Sequence, residues 1–283
     1  MKRLKEWWNN DLSKGVKFVF LTLLANGLPA FLILMSLPSK TETFFVWTIQ
    51  PEINARLVGV MYSNALLLVG FGATQTKWSR VRINMVVITL FSILATVLTF
   101  FYLKPFLAHP WYHLAYWLTM YLVLFFGAPI VFIKQERKYG GRLPVHISLN
   151  RTGRFAAGIS MLVSFTGGLL FLFQVELVNQ IWPWTLPPLV AGLIGVLFMT
   201  HTAAYAWALW DGDWTRVRPM FWQAPPTAIL FMLLPVFHPA DLRPNAEISL
   251  GFYYAVSGLF VLLHLAVILR YRAIEKGFVG GDE

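Results

Sequence analysis

Two of the six histidines, His201 and His264, fall deep inside long apolar runs. Each lies 13 residues from one end of its run, roughly 20 Å down a helix rising about 1.5 Å per residue. Imidazoles at equal depth on two helices are what a bis-imidazole haem b or a proton-relay pair requires. The plainer reading is two separate interior histidines, each hydrogen-bonded to its surroundings. Asn64 and Gln223 add polarity at interior positions, so Asn64, His201, Gln223 and His264 form the expected ligand-binding set. A second group, His109, His113 and His238, falls at or just outside the ends of apolar runs. His109 and His113 are spaced i, i+4, which puts both on one helix face, where with His238 they would bind a metal or titrate with external pH.

Catalytic patterns are missing. The sequence holds no H-E-x-x-H, no phosphate-binding G-x-x-x-x-G-K-[ST] and no G-x-S-x-G, each of which ties a reaction to a fixed backbone geometry. It has no cysteine, which removes thiolate ligands, thiol nucleophiles and disulfides. No acidic residue falls in the middle of an apolar run, which argues against an ordinary proton-driven pump. No catalytic residue is assigned, and a non-enzyme is expected.

What must position these residues is a membrane scaffold. The 283 residues are 57% hydrophobic and only 13% charged, where a soluble domain carries about a quarter charged. Eight apolar runs, near 16–37, 53–73, 83–103, 111–133, 155–173, 188–210, 220–237 and 251–269, reach or approach the roughly 20 residues that cross a bilayer as helix. They are continuously apolar, not alternating, which favours helices over a barrel. The run near 220–237 is predicted to be broken at Pro225-Pro226 and again at Pro235, and Pro29 and Pro129 to kink their own runs.

Charge then orients the chain. The N-terminus, the segments after the second, fourth and sixth runs and the C-terminus hold 19 of the 23 Lys and Arg residues and 8 of the 13 acids. The opposite side keeps Lys40, Arg56, Lys104 and Arg243. By the positive-inside rule both termini are cytoplasmic, and a bacterial-type inner membrane is the expected location. Residues 1–15 read as an amphipathic segment lying at the interface. Membrane lipids are the expected partners, with a membrane-protein partner or a second copy also expected and nucleic acid excluded.

An internal duplication sets the architecture. Pro51, Ala55, Leu57, Gly59 and Val60 are answered by Pro187, Ala191, Leu193, Gly195 and Val196 at a spacing of 136. Trp78-Ser79-Arg80-Val81-Arg82 is answered by Trp214-Thr215-Arg216-Val217-Arg218 at the same spacing. Gly27, Phe31 and Leu32 match Gly167, Phe171 and Leu172 at 140. The expected fold is an all-α polytopic membrane protein. Its eight transmembrane helices form two parallel-oriented four-helix repeats, 16–133 and 155–270, about a pseudo-two-fold axis along the membrane normal. Residues 134–154 are a basic linker and 271–283 a tail. Gly59 and Gly195 allow close helix approach. Trp78, Arg80, Arg82, Trp214, Arg216 and Arg218 are expected at the inner interface against lipid phosphates, with Asp211 and Asp213 pairing locally with the arginines.

The function expected is binding, or transport, of a small apolar or lipidic ligand between the repeats. Two alternatives stand beside it: an accessory subunit of a larger membrane complex, and a haem-binding redox protein using His201 and His264.

Overall fold

A computed structural model describes the backbone of residues 10–279 and the side chains through Glu275. The first nine residues of the expected interfacial segment and the last four of the tail lie outside the described residues. Eight long helices carry the fold: α1 (Lys14–Ser36), α2 (Glu52–Ala73), α3 (Trp78–Phe101), α4 (Trp111–Tyr139), α5 (Arg151–Phe173), α6 (Pro188–Asp211), α7 (Trp214–Phe237) and α8 (Glu247–Val279). All eight are long and apolar enough to cross a membrane. Among the described residues there is no strand, only two isolated β-bridges.

Local chemistry sets the helix ends. Ser13 caps α1 by accepting from the Val16 amide, Asn150 caps α5 by accepting from Gly153, and Asp213 caps α7 by accepting from Thr215. Gly212, left-handed at φ 67°, ends α6, a conformation that glycine adopts without a Cβ penalty. Several helices outrun their apolar stretches. α3 and α7 begin at Trp78 and Trp214, so the duplicated Trp-x-Arg-Val-Arg motif is the opening of a helix, not a loop. α7 also corrects the expected break, since Trp214–Phe237 is continuous through Pro219, Pro225, Pro226 and Pro235. The reason is visible at Pro235. Its missing amide would strand the Phe231 carbonyl, four residues back, and Tyr253 on α8 donates its hydroxyl to that oxygen at 2.5 Å.

The helices sort into a centre and a rim. α2, α3, α6 and α7 each have half or more of their spanning residues buried, while α1, α4, α5 and α8 have a third or fewer. α1 packs on α2 and α5 on α6; α3 packs on α4 and α7 on α8. The two halves meet where α2 faces α7 and α3 faces α6. Glycines set two of these approaches. A Cβ on Gly59 would come within 2.9 Å of Met35 Sδ, and one on Gly195 within 2.6 Å of Leu172 Cγ and 3.1 Å of the Gly168 carbonyl.

Candidate functional site

Each half encloses an apolar cavity. The first, about 360 Å³, lies among α1, α2, α3 and α4; the second, about 610 Å³, lies among α5, α6, α7 and α8. Both fall in the size range of small-molecule sites. Among the described residues, no Asp, Glu, Lys or Arg lines either one. Many of their lining positions correspond. Tyr116, Trp117, Met120, Tyr121 and Leu124 on α4 are answered, 136 residues on, by Phe252, Tyr253, Val256, Ser257 and Phe260 on α8. Ile88, Phe91 and Ser92 on α3 are answered by Ala224, Thr227 and Ala228 on α7, and Asn26 and Gly27 on α1 by Thr166 and Gly167 on α5. Where the first cavity has Ile88, Phe91 and Tyr121 the second has the smaller Ala224, Thr227 and Ser257, and where the first has Ala65 and Leu124 the second has the larger His201 and Phe260.

The cavities meet at the seam between the halves. Asn64 and Leu197 line both, and Asn64 Nδ2 donates to Thr227 Oγ1 at 3.2 Å. Aromatic rings cluster beside each cavity. Trp47 packs edge-on against Trp117 at 5.4 Å, and Trp184 packs on Tyr253 at 5.5 Å. Trp182 adds a further ring in the second half, edge-on to Phe171, Trp184 and Tyr253 at 5.2–5.4 Å. Exposed rings at Phe44 and Tyr116 in the first half, and at Phe252 in the second, stand at the sides of the cavities.

Of the four expected ligand-binding residues, Asn64 and His201 line a cavity, while Gln223 and His264 stand behind the wall. His201 Nδ1–H donates to the Leu197 carbonyl at 2.8 Å, so its Nε2 accepts from Gln223 Nε2 at 3.2 Å. This leaves Gln223 Oε1 buried without a protein partner. His264 repeats the arrangement, with Nδ1–H to the Phe260 carbonyl and Nε2 accepting from the Tyr205 hydroxyl, both at 2.8 Å. For a haem, both Nε2 lone pairs would first have to be released from Gln223 and Tyr205, so the donor set as folded does not fit two axial ligands.

The expected three-histidine metal set is not assembled, and among the described residues no group of three His, Asp or Glu side chains could hold a metal ion. His109 and His113 do stack, with centroids 5.5 Å apart, and His109 Nε2 bonds Thr48 Oγ1 at 2.9 Å. His238 belongs to a separate cluster: its Nδ1 lies 3.3 Å from Asp241, whose Oδ2 accepts from the Ile53 amide at the start of α2. Burial is the first cause that pushes the His238 pKa down; the Arg56 charge adds to it, against Asp241 and Glu52.

The six interface residues divide by their partners. Trp78 and Arg82, one turn apart on the same face of α3, both hold Glu136 at the end of α4: Trp78 Nε1 donates at 2.9 Å and Arg82 Nε at 3.0 Å. Trp214 and Arg218 hold Glu275 on α8 in the same way, at 3.0 and 3.2 Å. Each of these arginines also crosses to an aromatic ring of the other half, Arg82 over Trp207 at 5.2 Å and Arg218 over Phe71 at 6.0 Å. Arg216 is buried between Asp211 at 2.7 Å and Asp213 at 3.1 Å. Its first-half equivalent, Arg80, is exposed. Protein carboxylates therefore take three of the four guanidinium groups that were expected to face lipid phosphates.

Sequence reasoning missed Glu136 and Glu275, along with the lining of α4 and α8. The signal was present for the lining: carrying the 136-residue spacing into the fourth run aligns Tyr116 and Trp117 with Phe252 and Tyr253, aromatic on aromatic. No protein-family model matches the chain, and neither a curated protein nor a solved structure is significantly similar to it.

Proposed function

We propose that this membrane protein is a duplicated four-helix unit that binds a small apolar or lipidic ligand in each half. The observation carrying this is the correspondence of the two cavities, lined at equivalent positions by all four helices of each half. Packing noise does not produce the same hollow twice from different side chains. The helix contacts support the repeat as well, since α1–α2 answers α5–α6, α3–α4 answers α7–α8, and the α2–α7 seam answers α3–α6. These relations fit a pseudo-two-fold axis along the membrane normal. The positively charged face, which gathers the start of α1 and the end of α8, is read as cytoplasmic, with the chain in a bacterial-type inner membrane.

The ligand sites lie within the halves and touch at Asn64 and Leu197. An uncharged lining selects uncharged ligand, because a charge placed there would be desolvated without a partner. Transport, if it follows binding, would pass the ligand across the Asn64–Thr227 contact.

Native mass spectrometry on protein extracted into nanodiscs without detergent tests the reading. Wild type is expected to retain up to two small apolar molecules, with Ala30→Phe emptying the first cavity and Ala228→Phe the second. Wild type that retains nothing, while a second subunit co-purifies in fixed ratio, would replace this reading with an accessory-subunit role.

A further inference from the structure

The seam between the cavities holds a polar group that is only half used. Asn64 is 4% exposed, and its Nδ2 donates to Thr227 Oγ1 at 3.2 Å. Among the described residues its Oδ1 has no hydrogen-bond partner. Unlike Gln223 Oε1, which is fully enclosed, this oxygen keeps open surface. The spaces that Asn64 lines are the two cavities, so that surface opens into them. The second cavity is also the one with spare hydroxyls. Buried hydroxyls elsewhere, at Ser63, Ser92, Thr96, Thr99 and Thr200, donate to a carbonyl one turn back on their own helix at 2.6–2.8 Å, the usual way a helical Ser or Thr satisfies its proton. Ser164 and Ser257 line the second cavity without such a bond, and their oxygens are not enclosed either. At the positions of Thr227 and Ser257 the first cavity has the rings of Phe91 and Tyr121.

We propose that the second cavity takes a neutral, otherwise apolar ligand bearing a hydroxyl, and that this hydroxyl donates to Asn64 Oδ1. This rests on the ligand-binding reading above and names the chemistry of one of its sites. An amide oxygen only accepts, so the ligand must bring the proton. A pure hydrocarbon would cover that oxygen without bonding it, which is unfavourable. An ammonium brings protons but also a charge, and no acidic side chain lines the cavity to pair with it. A hydroxyl brings one proton, no charge and an oxygen of its own that can accept from a serine. The hydroxyl belongs either to a neutral bilayer lipid, such as a diacylglycerol, or to a free long-chain alcohol.

The test uses the full chain in phosphatidylcholine nanodiscs loaded with 1-dodecanol or 1-methoxydodecane at equal mole fraction in the bilayer. The ether accepts hydrogen bonds but cannot donate one. Native mass spectrometry reads the share of each probe bound to protein. Wild type is expected to bind the alcohol about fivefold more tightly than the ether, the worth of one net hydrogen bond. Ala228→Phe, which fills the second cavity, is expected to remove that preference. Asn64→Leu is expected to bring the alcohol down to the level of the ether. A preference unchanged by Asn64→Leu overturns the proposal. If that variant fails to fold, wild type and Ala228→Phe decide: a fivefold preference lost on filling the cavity sustains the proposal, and equal binding of alcohol and ether overturns it. Equal binding that Ala228→Phe abolishes leaves the cavity reading standing and removes the hydroxyl. Absence of binding by either probe removes both. Diacylglycerol added to the discs identifies the source: it displaces dodecanol if the natural ligand is a bilayer lipid, and leaves it bound if the ligand is a free alcohol.

Discussion

Arg82 shows what a buried charge demands of its neighbours. It is 1% exposed, and it is matched by Glu136, by Asp211 at 3.8 Å and by the faces of Trp207 and Trp210. Removing one partner of a buried pair costs about 3–5 kcal/mol, because the remaining charge stays desolvated. Glu136→Gln is therefore expected to lower the thermal midpoint sharply. Glu275→Gln should cost about 1 kcal/mol, since Arg218 and Glu275 are partly solvated; differential scanning fluorimetry on the two variants measures the contrast. His238 supplies a pH dependence. Its folded pKa lies below the unfolded value, so its contribution is complete above about 6.5 and declines as pH falls from there through the folded pKa. Wild type is expected to lose stability as pH falls below about 6.5, and His238→Gln to lose less. The arginine–glutamate pairs were hidden in the sequence for a simple reason. Counting 136 residues on from Glu136 reaches Arg272; the equivalent carboxylate, Glu275, sits three residues further, nearly one helical turn, where a gapless alignment does not look.

The legible part of each element was its apolar middle, and the illegible part was its ends. Hydropathy places all eight helices but starts α3 and α7 late, because Trp78, Arg82, Trp214 and Arg218 look like loop residues until Glu136 and Glu275 are seen to hold them. Pro225, Pro226 and Pro235 on α7 read as breaks, and at Pro235 the sequence gives no sign of Tyr253, on another helix, supplying the donor that the proline lacks. That pairing makes a prediction. Tyr253→Phe leaves the Phe231 carbonyl buried and unbonded, a loss of about 1–3 kcal/mol. Pro235→Ala restores an amide to the helix, so in that background the same Tyr253→Phe change is expected to cost much less. A double-mutant cycle in denaturant or heat gives the coupling directly. The glycines were legible, and the structure grades them. Gly195→Ala is expected to destabilise more than Gly59→Ala, because the added methyl meets the backbone of Leu172 and Gly168 instead of the flexible end of Met35.

At the scale of the whole molecule, the halves of the proposed repeat are unequal in charge, and the inequality specifies how they join. On the proposed two-fold repeat, a lone first half carries a surface complementary to its own copy. Its α2 and α3 would face α3 and α2 of the second copy, as they face α7 and α6 in the intact chain. In such a dimer Arg82 would meet Gln75, which occupies the position of Asp211, with Lys77 at the position of Asp213. The interhalf carboxylate would be gone, replaced by a neutral amide and an added positive charge. Residues 1–139 expressed alone are therefore expected to remain largely monomeric in nanodiscs and to capture co-expressed 140–283 when both are present. Gln75→Asp returns a carboxylate to the seam at a site where it faces the buried guanidinium. It is expected to shift the isolated first half toward dimer, and Gln75→Asp with Lys77→Asp to shift it further. Single-molecule photobleaching of labelled halves counts the copies per disc. A first half that dimerises equally well with and without the Gln75→Asp change would show that apolar packing alone joins the halves and that the Arg82–Asp211 contact has no part in choosing the partner.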